Sequence, residues 1–153
     1  MKLSFLDRFL GGDPNPETLK IAYNSSLSAG NKALFGKLLT AVAQELPDLL
    51  AVSVIALKSG ELQATRHVTG KSNPAKAAAY YAEVIKQQQQ AVEALGPAGE
   101  EHIEDVLITL TSQWHVLRLL PGNRHFVHLM MGTRVANLGL AREVLRAQAA
   151  AAG

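Results

Sequence analysis

The chain has no cysteine among its 153 residues. That excludes a disulfide framework, a cysteine-ligated zinc or iron–sulfur centre, and a thiol nucleophile. Long apolar runs are missing too. The longest, Leu49 to Leu57, covers nine residues, where a membrane-spanning helix needs about 20. The first residues, MKLSFLDRFLGG, do not read as a secretory signal, because Asp7 and Arg8 break what would be its apolar centre and no small-residue cleavage pattern follows. These absences point to a soluble, cytoplasmic protein. Charge is sparse, at 18% of residues against about 25% in an average domain. Fifteen basic and thirteen acidic residues leave a net charge of +2, with no basic run dense enough for a nucleic-acid face. Nucleic acid is therefore not an expected partner.

What the chain does have is apolar content, 48% of it, enough to offset the entropy of ordering one domain of roughly 150 residues. Residues 1–32 form an N-terminal extension, and 33–150 the domain proper. The extension opens with an amphipathic head, Leu3, Phe5, Leu6, Phe9 and Leu10, which is either a docking tail or a disordered leader. After the breaker Asp13-Pro14-Asn15-Pro16, a short helix would hold Leu19, Tyr23 and Leu27 on one stripe. Asn31 then caps a helix with Leu34, Leu38, Val42 and Leu46 on its apolar side. Leu49 to Leu57 is apolar on both faces, as a central strand is. After the Lys58-Ser59-Gly60 turn, an edge-like strand alternates Leu62, Ala64 and Val68 with Gln63, Thr65 and His67.

Asn73 and Pro74 start a second helix, whose stripe is Tyr81, Ile85, Gln88, Val92 and Leu95. Tyr80 and Val84 widen this stripe, and Gln87 to Gln90 give it a solvated or partner-facing surface. Three strands follow: Ile103–Thr111, Gln113–Leu120 and Arg124–Met131, the last two joined by Pro121-Gly122-Asn123. Gly132-Thr133 precedes a last helix carrying Val135, Leu138, Ala141 and Leu145. Helix, two strands, helix, three strands and helix make an α+β fold, with one five-stranded antiparallel sheet between helices.

Motifs for chemistry are weak. His115, His125 and His128 share one hairpin, but strand side chains alternate faces and the short turn sets His128 opposite Val116, so the expectation is partly exposed histidines and no metal site. Glu104 and Asp105 near Ser112 and His115 lack a nucleophile elbow. Gly70-Lys71-Ser72 lacks the upstream glycine of a phosphate loop, and no GxGxxG occurs, so no cofactor is expected. Arg142 and Arg146 share a helix face, with Glu143 in reach of Arg146. That face reads either as solvated with a local ion pair or as a contact for an acidic partner.

The first strand of the meander sets Val106, Ile108 and Leu110 on one face and Leu107 on the other. It follows a helix and so suits a sheet edge, where a long apolar strand needs a partner. The tyrosine-bearing helix stripe is also wide for one sheet face. Both features favour a homodimer through Ile103, Val106, Ile108 and Leu110 together with Tyr81, Ile85, Gln88 and Val92.

Val106-Leu107-Ile108-Thr109-Leu110 and Gln113-Trp114-His115-Val116-Leu117-Arg118 resemble the central strands of the roadblock family of dynein-light-chain-like proteins. Ala136-Asn137-Leu138-Gly139-Leu140-Ala141-Arg142 is similar to the asparagine–leucine–alanine–arginine signature of its last helix, through Asn137, Leu138, Ala141 and Arg142. The element order agrees over about residues 33 to 149. Two features depart: Lys58-Ser59-Gly60 where the family's turn usually has an acidic residue, and the N-terminal extension. The resemblance implies a roadblock (profilin-like) fold in a non-enzymatic homodimer, with no cofactor. It further implies pairing through the first meander strand and the middle helices, and regulation or scaffolding of a small Ras-like GTPase. Gln87, Gln88, Tyr80 and Val84 would be the docking surface, and a nucleotide-independent scaffold is the alternative.

Overall fold

A computed structural model describes residues 20–68, 73–97, 99–134 and 136–153. The amphipathic head, the proline breaker, the Gly70-Lys71-Ser72 sequence and Val135 lie outside them. The described chain runs β1 (Ala22–Tyr23), α1 (Ala29–Glu45), β2 (Leu49–Ala56), β3 (Leu62–His67), α2 (Pro74–Leu95), β4 (Asp105–Thr109), β5 (Gln113–Leu119), β6 (His125–Gly132) and α3 (Leu138–Ala151). The strands make one antiparallel sheet in the order β1-β3-β2-β6-β5-β4. It has six strands rather than the expected five, and the sixth comes from the extension.

That strand replaces the expected helix through Tyr23 and Leu27. Asn24 decides the matter locally. Its backbone N–H donates to Gln63 O at 2.8 Å and its side-chain amide to Leu62 O at 3.3 Å. Its Oδ1 then accepts from Ser26 N and Oγ at 3.0 and 2.8 Å. Such side-chain bonds to nearby backbone compete with a helix. Helix α1 starts earlier than Asn31, because Ser28 in extended conformation accepts from Asn31 N at 3.2 Å and serves as its cap. The buried face is Phe35, Leu38, Leu39, Val42 and Ala43, while Leu34 is exposed.

Helices α1 and α3 cover one face of the sheet and α2 the other. The larger core lies under α1 and α3, with Phe35, Leu39, Val52, Val54, Leu129 and Leu145 at its centre. The smaller joins Ile55, Leu117 and Phe126 to Ala78, Ala82 and Ile85 of α2. Both cores draw on β2 and β6 from opposite faces, which explains the run from Leu49 that is apolar on both sides apart from Ser53. Strand β3 is interior, not edge-like, because β1 covers its outer side; Gln63, Thr65 and Arg66 are buried. Its register also shifts: Val54 faces Ala64 but Ile55 faces Leu62, leaving Gln63 as the extra residue. The bulge sends Leu62 to the α2 side and Ala64 to the α1 side, where simple alternation put them together.

Asn73 caps α2, its side chain accepting from Lys76 N at 3.3 Å, and Pro74 sits in the first turn. The β2–β3 turn presses on this helix. Gly60 has φ +73, and a Cβ there would lie 2.8 Å from Ala79 Cα. Lys86 of α2 also donates to Lys58 O at 3.3 Å. Gly60→Ala therefore meets both a disfavoured backbone conformation and the backbone of α2. It should cost about 2 kcal/mol of unfolding free energy, read as a lower denaturant midpoint at unchanged slope; an unchanged midpoint contradicts the close approach.

Candidate functional site

Among the described residues, strand β4 is the outermost strand on its side of the sheet and pairs only with β5. The Leu110 N–H donates to Gln113 O at 2.8 Å, and antiparallel alternation makes 108 with 115 and 106 with 117 the other hydrogen-bonded pairs. The backbone N–H and C=O groups of Leu107 and Thr109 therefore point out of the sheet. The side chains of Val106 and Ile108 pack partly against the α2 core, whereas Leu107 and Leu110 are 41% and 48% exposed. Ile103 precedes the strand and lines a cleft of about 390 Å³ with Arg118, Pro121 and Arg146.

The start of β4 is held by charge. Asp105 lies opposite Arg118 in the ladder and accepts from Arg118 Nη1 at 3.3 Å. It also accepts from Nε and Nη2 of Arg142 at 3.1 and 3.0 Å, a two-pronged contact from α3. The Asp105 side chain is only 8% exposed. Asn137 orients this arginine at one remove, since its Oδ1 accepts from Leu140 N at 3.0 Å and caps α3. Leu138 packs on the larger core, and Ala141, fully buried, brings the helix close to the sheet. Of the two arginines expected to share a helix face, solvated or in contact with an acidic partner, Arg146 pairs with Glu143 as the spacing suggests, but Arg142 crosses to the edge strand. Asp105 points to the face opposite His115, so no triad forms with it.

On the α2 face, the histidines depart most from expectation. His115 and His128 are buried, and His115 Nδ1 meets His128 Nε2 at 2.9 Å. The Tyr81 hydroxyl reaches the same Nδ1 at 2.9 Å, and Gln113 Oε1 lies 3.1 Å from His115 Nε2. The ladder pairs Leu117, not Val116, with His128. That one-residue difference sets His128 diagonal to His115 on one face. Burial lowers the affinity of His115 for a proton, and burial together with the neighbouring His115 pushes His128 down to about 3. Burial raises the Tyr81 hydroxyl. His125 points to the other face, edge-on to Phe35 with ring centroids 5.1 Å apart. Among the described residues no group of three or more His, Asp or Glu side chains is placed to hold a metal ion.

Helix α2 divides its expected stripe. Ile85 is fully buried in the chain's own core rather than at a surface open to a second chain, and Tyr81 is engaged with His115. Outward stand Gln87, Gln88 and Tyr80, with Val84 and Val92 half-buried. Tyr80 is 75% and Leu95 87% exposed.

Solved structures share this arrangement. A gliding protein, MglB, from Thermus thermophilus superposes with a TM-score of 0.68 at 16% identity, over 82% of this chain and 90% of that one. Myxococcus xanthus MglB gives 0.64 at 15%, over 76% and 91%, and a Roadblock/LC7 domain from Streptomyces avermitilis 0.63 at 15%, over 75% and 91%. The fold is that of Roadblock/LC7 domains. The sequence itself matches no family model and no curated protein.

Within this Roadblock fold, the sequence located the outer strand and the capped, Arg142-bearing helix. It missed the Arg142–Asp105–Arg118 cluster and the His115–His128 pair. An acidic residue at a strand start, with an arginine in its ladder partner, was the available signal for the first. Asp105→Ala leaves the mostly buried Arg118 without its counter-charge. It should lower unfolding free energy by about 2 kcal/mol, or Tm by roughly 4–8 °C for a domain of this size. An unchanged Tm would mean the cluster adds nothing.

Proposed function

We propose that this chain is a non-enzymatic homodimeric module that binds and regulates a small Ras-like GTPase. The observation that carries the reading is the open edge of β4, with outward backbone groups at Leu107 and Thr109 beside exposed Leu107 and Leu110. Such an edge invites a matching strand, and a second copy supplies one with twofold symmetry. The Roadblock/LC7 fold, shared with MglB structures of which one is described as a tetrameric arrangement, supports self-association. Two copies joined through β4 bring their α2 helices together over the paired strands. Tyr80, Val84, Gln87 and Gln88 then offer an extended, weakly charged face suited to a protein partner. Regulation on this reading works by positioning the GTPase's own groups, because the described residues hold no assembled catalytic set.

Two measurements test it. Sedimentation equilibrium should show a dimer, and Thr109→Pro should yield a folded monomer, because it removes only an outward N–H from an edge strand. A monomeric wild type, or a dimeric Thr109→Pro chain with unchanged affinity, refutes the edge. The immobilised protein should retain a small GTPase from native lysate in the presence of a non-hydrolysable GTP analogue, and Gln88→Lys should abolish retention. A partner held equally without nucleotide would instead make the chain a scaffold.

A further inference from the structure

The buried polar row beneath α2 is unusual for a surface that the fold could have filled with aliphatic side chains. It runs across the sheet from Thr65 on β3, through Ser53 on β2 and His128 on β6, to His115 and Gln113 on β5. Thr65 Oγ1 and Ser53 Oγ satisfy each other at 2.7 Å. The histidines have a less complete arrangement. With Gln113 Oε1 accepting from His115 Nε2–H, the neutral His115 ring offers a single lone pair at Nδ1. Both the Tyr81 hydroxyl and His128 Nε2–H converge on it. His128 Nδ1 is then left as a buried lone pair with no partner.

Adding one proton makes this worse. His115 Nδ1 becomes a donor to His128 Nε2, so the proton of His128 must move to Nδ1, where no acceptor waits. The tyrosine hydroxyl, which donated, must turn to accept. Among the described residues nothing charged compensates. From α2 only Tyr81 faces the pair. Lys76, Glu83 and Glu93 are exposed, and Lys86 is taken up by Glu83 and Lys58 O. From β2 and β3 come neutral Ser53 and Thr65, and from β4 comes Ile108. The other titratable group on this face, His67, is three strands from His115 in the ladder, or roughly 14 Å at the usual strand spacing.

Helix α2 is also the element best able to yield. Among the described residues it alone covers its sheet face, and its fully buried contacts are small, Ala78 and Ala82, apart from Ile85. Its lifting would hydrate both imidazoles while the larger core under α1 and α3 stayed closed.

We propose that His115, His128 and Tyr81 form a proton-operated latch that holds α2 on the sheet near neutral pH and releases it in acid. In the closed state both rings are held neutral. When α2 lifts, each regains its ordinary affinity near pH 6.5, so the open state binds more protons below that pH. The stabilisation is complete above about pH 6.5 and is lost as pH falls below it, with the opening constant rising about tenfold per pH unit for each imidazole. Because α2 carries the surface proposed above for a partner, acid would disable docking. That consequence rests on the functional reading, but the latch does not.

Hydrogen–deuterium exchange of the full chain between pH 7.5 and 5.0, normalised for the chemical exchange rate, reads the opening directly. The amides of α2 should lose protection by at least tenfold per pH unit below about 6.5, while α1 and α3 keep theirs. His128→Phe preserves a ring over Tyr81 and removes a proton site, so it should reduce the pH dependence. The latch is overturned by pH-independent α2 exchange, by the three helices opening together, or by a wild-type pH dependence in His128→Phe. Should that variant not fold, ring titration of the wild-type protein by NMR decides: both rings must stay neutral well below pH 6.5, and either ring titrating at its ordinary value refutes the latch.

Discussion

An open strand edge is a constraint on everything around it. Strand β4 presents outward backbone groups at Leu107 and Thr109, and its inner residues Val106 and Ile108 contribute to the α2 core. The strand must therefore be held rigidly in place while its far side stays available. The arginines meet that requirement at one end, gripping Asp105 from the neighbouring strand and from α3. At the other end the tight β4–β5 connection closes with the Leu110–Gln113 bond. The opposite sheet edge is treated differently: β1 is two residues long, a device that limits unwanted pairing.

The two sheet faces are stabilised by different means. Under α1 and α3 lies a conventional apolar core with large side chains. Under α2 the core is smaller, and a row of polar side chains crosses the sheet beside it. A fold that packs one helix less firmly than the others has a place where binding or protonation changes the structure at low cost. It is the same helix whose outer side carries Tyr80, Gln87 and Gln88. The outer side of α2, the edge strand and the histidine pair are neighbours, since Ile108 of β4 lies directly opposite His115 in the ladder.

Much of this architecture was legible from local signals. Asn73-Pro74 and Asn137 mark their helices because capping depends on a few adjacent residues, and the run from Leu49, apolar on both faces apart from Ser53, marks a central strand. Features set by register or by distant partners were not legible. Ser28 outcompetes Asn31 as a cap, Asn24 turns a helical pattern into β1, and the bulge at Gln63 separates Leu62 from Ala64. The histidine pair depends on one residue of hairpin length. The turn spans Pro121 to Arg124, with Leu120 bonded to His125, one residue longer than Pro121-Gly122-Asn123. Ile85 shows the limit of helical periodicity: it identifies an apolar stripe without saying whether a sheet or another chain covers it.

Because the chain has no cysteine, a single introduced thiol reports on its own surroundings, which makes the central claim about β4 directly testable. Leu107→Cys in the full chain, oxidised mildly at micromolar concentration, should give a covalent dimer rapidly, since antiparallel pairing of two copies brings equivalent mid-strand positions together. Glu61→Cys, an exposed residue in the β2–β3 turn, serves as the distant control. Efficient cross-linking at 107 with little at 61 is the predicted result. Equal, slow cross-linking at both positions would contradict the account, because the open edge would then have no strand of a second copy beside it.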